Sequence, residues 1–119
     1  MTRTTAKHFA IFKKEAARCI KLWRIVGWRV EFVHAKRDAR ADVRASTKDH
    51  ACVICLSTEW DEMDGLRVTD AMVRDSARHE VAHLLVDPLN EVAHFRYITQ
   101  DQQTQAVESV VRHLEDILP

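Results

Sequence analysis

Apolar positions change their period along the chain, and each change marks an element. From about residue 5 to 24, Phe9, Phe12, Ala16, Ala17, Ile20 and Trp23 recur with Lys and Arg between them. That is the 3.6-residue period of a one-sided helix. Gly27 breaks it. Over residues 28–35, Trp28, Val30 and Phe32 alternate with Arg29 and Glu31, which is strand periodicity. A second alternating run, 39–45, is weaker because alanine is a poor strand former. A third, 51–57, is short and nearly all apolar, as suits a more buried strand.

Residues 58–68 read as a polar loop. Thr69 then offers an N-cap and Asp70 complements the helix dipole, opening a helix that the pattern carries to about Val86. Asp87-Pro88 predicts its end, because the residue before proline is pushed out of the helical region. After an irregular stretch over 87–99, a last helix covers about 101–118, with Ala106, Val107, Val110, Val111, Leu114, Ile117 and Leu118 on one face. Strand connections of about three residues imply hairpins. The expected fold class is α+β: an N-terminal helix, a three-stranded and mainly antiparallel sheet, then two helices, all packed on one face of the sheet. At 119 residues the chain reads as one domain over 1–119.

Charge narrows the function classes. Lys plus Arg equals Asp plus Glu at 18 each, so a nucleic-acid binder that works by bulk charge is not expected. Residues 3–44 are nonetheless rich in Lys and Arg, and 59–75 lean acidic. No apolar run approaches the roughly 18 residues of a membrane span. The three cysteines, with no secretory leader in the sequence, fit a reducing, cytoplasmic setting.

The chemistry concentrates in His79-Glu80-Val81-Ala82-His83. Positions four apart share a helix face, so His79 and His83 can offer two imidazole nitrogens to one metal. Glu80 lies beside the first, close enough to act on a metal-activated water but not placed as a third ligand. Val73, Ala77, Val81, Leu84 and Leu85 form the apolar side of the same helix. Zinc brings the pKa of its water toward about 7, and the carboxylate then takes the proton during attack on a carbonyl. Catalytic zinc usually has a third protein ligand. The candidates are Glu91, His94, Glu108 and His113. Glu108 is favoured, because it borders the inward face of the last helix between Val107 and Val111, where an unpaired carboxylate is costly. His94 is the alternative, and His113 reads as a surface residue.

His79, Glu80 and His83, with Glu108 in the place of a downstream helical glutamate, resemble the zincin metallopeptidases of the gluzincin type. The likeness covers roughly 50–118 and extends to the minimal zincin-like proteins of bacteria and phages, including the SprT-like and ImmA/IrrE groups. It implies a zinc-dependent peptidase with two histidine ligands and Glu80 as general base. The third histidine of metzincins is absent after His83, and Gln105-Ala106-Val107-Glu108-Ser109-Val110 lacks the thermolysin-type signature. In zincins the edge strand before the motif helix pairs with an extended substrate, which makes 51–57 the candidate strand here. Tyr97, and His94 or His113, could hydrogen-bond a developing oxyanion.

Cys52-Val53-Ile54-Cys55 matches C-x-x-C. In a strand these residues point to opposite faces and no second pair completes a four-sulfur site, so they read as buried small residues. Two further readings stay open: a catalytically silent zincin-fold module that binds a partner, and a metal-free helical protein contacting nucleic acid through Lys13, Lys14, Arg18, Lys21 and Arg24. A short chain with no separate specificity domain also suggests a partner that delivers the protein or peptide substrate.

Overall fold

The computed structural model of the chain describes residues 2–61, 67–93 and 99–119, with 91–93 as backbone alone. Its elements run β1 (Thr2–Arg3), α1 (Ala6–Leu22), β2 (Arg29–His34), β3 (Ala41–Ser46), β4 (Ala51–Leu56), β5 (Glu59–Trp60), α2 (Asp70–Ala93) and α3 (Gln100–Ile117). The α+β class expected from the periodicities is what the chain adopts.

The N-cap of α1 is Thr5, whose hydroxyl accepts from the His8 amide while the His8 ring accepts from the Thr5 amide. Its inward stripe is Phe12, Ala16 and Cys19, all fully buried. Ala17, expected on that stripe, is exposed, and Glu15 is buried in its stead. Arg18 makes this tolerable by donating two hydrogen bonds of 2.7 and 2.8 Å to the Glu15 carboxylate, which holds it below its ordinary pKa.

Three strands form a sheet in the order β2-β4-β3. The nearly all-apolar run became the central strand, β4, as its composition requires. β3 returns against it through the turn at 47–50 as an antiparallel hairpin, pairing Val43 with Ile54. β2 pairs with β4 in parallel, Phe32 beside Ile54, so the expectation that every short connection makes a hairpin fails here. Placing the two-sided apolar strand in the middle forces the connection 35–40 to pass over its end. Glu59–Trp60, expected within a loop, pairs antiparallel with Thr2–Arg3. That pairing seats the fully buried Trp60, whose indole donates to the Arg40 carbonyl at 3.1 Å. Thr4 ties down the same end, its hydroxyl donating to the Ser57 carbonyl at 2.7 Å.

The core lies between the sheet and α1 and α2, built from Phe12, Ile54, Leu56, Trp60, Val73, Val81 and Leu84. Fully burying a side chain of this size contributes about 1.5–3 kcal/mol. A smaller cluster of Ala82, Val86 and Val111 joins α2 to α3. Leu85, expected among the apolar residues of α2, is instead partly exposed.

The predicted stop at Asp87-Pro88 is overturned, since α2 continues through Pro88 to Ala93. Proline removes one helical hydrogen bond, but packing on both sides of it outweighs the loss. Thr47 donates to the Asp87 carboxylate at 2.6 Å, Val86 packs on α3, and Gln103 donates to Asn90 at 2.8 and 2.9 Å. The irregular stretch therefore does not begin at 87, and α3 folds back antiparallel on α2. No helix among the described residues is long and apolar enough to cross a membrane.

Candidate metal centre

Thr69 caps α2 as its sequence suggests, accepting from the Met72 amide at 3.2 Å. The helical period then divides α2 into two sides. Val73, Ala77, Val81 and Leu84 enter the core, and Met72, Ser76, His79, Glu80 and His83 line a cleft of about 460 Å³. The opposite wall of the cleft is Ala39, Arg40 and Ala41, at the start of β3. The third wall is α3, which presents Glu108 and Glu115. These glutamates lie seven residues apart, two helical turns on one face.

The antiparallel pairing of α2 and α3 sets Glu108 against both histidines. One carboxylate oxygen lies 2.8 Å from His83 Nε2 and the other 3.4 Å from His79 Nε2. The two imidazole rings stand edge to face, 4.9 Å between centroids. Ligand atoms of His79, His83 and Glu108 all fall within 4.8 Å of one another. A tetrahedral zinc with bonds of about 2.0–2.1 Å needs ligand atoms roughly 3.3 Å apart. The Glu108 oxygens, 2.8 and 3.4 Å from the two ring nitrogens, bracket that spacing, and two nitrogens with one oxygen are a donor set that suits the ion.

A fourth residue, not singled out by the sequence, completes the arrangement. Glu115 Oε2 lies 3.1 Å from His79 Nδ1, the ring nitrogen on the far side from Glu108. A carboxylate at Nδ1 fixes the ring's orientation and leaves Nε2 free to ligate. The spacing could have revealed it, since Glu115 repeats the face of Glu108 two turns later.

The electrostatics suit a cation. Burial pushes the Glu80 carboxyl up to about 8, and the nearby charges of Asp42, Glu108 and Glu115 push the same way. Glu80, Glu108 and Glu115 thus share the cleft, while Asp42 lies outside its lining and pairs with Arg37 at 3.1 Å. Burial pulls the His83 imidazole below its ordinary pKa, opposed by Glu108, which favours the neutral, ligating form.

Other sequence candidates fare differently. His113 is exposed, as expected. His94 and Tyr97 lie outside the described residues, and the side chain of Glu91 is not described. The strand proposed for substrate pairing, 51–57, is central and paired on both sides, which removes it from that role. The edge strand beside the cleft is β3. All three cysteines are free and buried, and burial pushes Cys52 up to about 11. On α1, Lys13, Lys14, Lys21 and Arg24 are exposed, while Arg18 is held by Glu15. No protein-family model, characterised protein or solved structure matches the chain.

Proposed function

We propose that the chain is a zinc-dependent peptidase. One observation carries this reading: ligand atoms of His79, His83 and Glu108 converge within 4.8 Å of one another on the wall of an open cleft. These three residues would hold a zinc ion, which would supply a Lewis acid for a peptide carbonyl and a water acidic enough to be deprotonated near neutral pH. Glu80 takes that proton as general base and returns it to the departing amine. Its seat fits the role, because a carboxyl poised near 8 without the cation is lowered toward neutrality by a neighbouring positive charge. Glu115 holds the His79 ring in register.

The substrate lies extended between α2 and the start of β3. The outer edge of β3 has no strand partner among the described residues, so a peptide can add to it through backbone hydrogen bonds. Cleavage of a peptide library by the zinc-loaded chain tests the proposal. Cleavage by the wild type, lost in Glu80→Gln with zinc uptake intact, is expected. Equal cleavage by both would refute the role of Glu80, and no cleavage by a zinc-loaded wild type would remove the peptidase reading.

A further inference from the structure

Arg78 precedes the first histidine of the motif and points away from the cleft, toward the end of α3. Its guanidinium donates to three backbone oxygens there, those of Glu115 at 2.6 Å, Leu118 at 2.7 Å and Pro119 at 3.0 Å. It also stacks over the Trp23 ring at 5.1 Å, and the Trp23 indole donates to Pro119 at 3.1 Å. One side chain of α2 thus joins α1 to the final turn of α3.

The last carbonyls of a helix have no partners within it, and the helix dipole places partial negative charge on them. α3 has no basic residue in its own last turn. Arg78 supplies that missing cation from the neighbouring helix, and its flat fork of five donors spreads over oxygens that a compact ammonium group spans less well. One of the oxygens it holds belongs to Glu115, whose carboxylate meets His79. The clamp therefore fixes α3 at the residue whose side chain orients a proposed ligand, two turns from Glu108.

We infer that Arg78 is a positioning residue for the metal centre: by gripping the C-terminal turn of α3, it sets the axial register that brings Glu115 to His79 and Glu108 to both histidines. This rests on the zinc reading. At the opposite end of the same helix pair, Gln103 donates to Asn90, seven residues beyond His83, and touches neither histidine in its hydrogen bonds. The protein thus contains its own control.

The test is zinc affinity, measured by competition with a chromophoric chelator on the full chain, well below the melting temperature of the weakest variant. Arg78→Ala is expected to weaken binding roughly 10- to 100-fold, as lost support of a ligand does. Arg78→Lys recovers only part of the loss. Gln103→Ala lowers the melting temperature but leaves affinity within about threefold. Because Arg78 acts in part through Glu115, its removal in a Glu115→Gln background costs less than in the wild type, a coupling that general destabilisation does not produce. The visible spectrum of the cobalt-substituted chain changes in Arg78→Ala as it does in Glu115→Gln. Unchanged affinity in Arg78→Ala, or losses that simply add with those of Glu115→Gln, would overturn the inference while zinc binding by the wild type stood. A wild type that binds no zinc would take the metal reading and this inference down together.

Discussion

In β4, Cys52 and Cys55 stand three residues apart; in α2, His79 and His83 stand four apart. Both pairs are of residue types that bind metals, and both sit in well-packed elements. The strand turns its pair to opposite faces. Cys52 enters the core beneath the helices, while Cys55 lies on the other side with its sulfur 3.7 Å from the Ala35 carbonyl. The helix stacks its pair on one face, where a single carboxylate reaches both rings. Environment widens the difference. Burial raises the Cys52 and Cys55 thiols and lowers His83. The same desolvation disfavours the thiolate of both cysteines and favours the neutral ring of His83.

The comparison can be broken most forcefully at Glu80. Glu80→Gln keeps the imidazoles and the shape of the cleft, and is expected to lower kcat by about 10²- to 10⁴-fold with zinc affinity little changed. Steady-state cleavage alongside zinc titration checks this. Glu115→Gln comes next, with zinc bound roughly 10- to 100-fold more weakly, read by chelator competition.

A pH titration of stability follows. In the chelator-treated chain, Glu80 has a folded-state pKa near 8 against an ordinary value of 4.5. The folded state therefore holds the proton that the unfolded state releases, and this contribution is complete below 4.5 and is lost as pH rises through 8. The unfolding free energy from urea titration should fall across that window in the wild type, by an amount on the order of a few kcal/mol, and fall less in Glu80→Gln. A flat wild-type profile would show that Glu80 is not held in a dry site. The smallest effects belong to the cysteines. Cys52→Ala with Cys55→Ala should leave zinc affinity within about twofold. Alkylation of the wild-type thiols at pH 8 should be slow until the chain unfolds, because Cys52 ionises only near 11.

The sequence made legible whatever depends on local period. Four apart on a helix placed His79 and His83 together, and the apolar flanks of Glu108 pointed it inward. α1, the cap at Thr69 and the buried character of β4 follow from the same kind of pattern. What depends on distant packing was not legible. The local rule against helix at Asp87-Pro88 lost to the Thr47 and Gln103 contacts made by residues far along the chain. The parallel neighbour of β4 and the edge position of β3 follow from strand order, which alternation within a strand does not encode, so the pattern alone does not show that 51–57 is central. Nothing in the local pattern marks Arg78, because its three acceptors are backbone oxygens of Glu115, Leu118 and Pro119, far along the chain.

Metal uptake by the intact chain tests the zinc centre most directly. After dialysis against zinc and then metal-free buffer, the wild type is expected to retain one zinc per chain, while His83→Ala and Glu108→Ala lose it and His113→Ala keeps it. A wild type that emerges without zinc, or a Glu108→Ala variant that holds it as tightly as the wild type, would contradict the account.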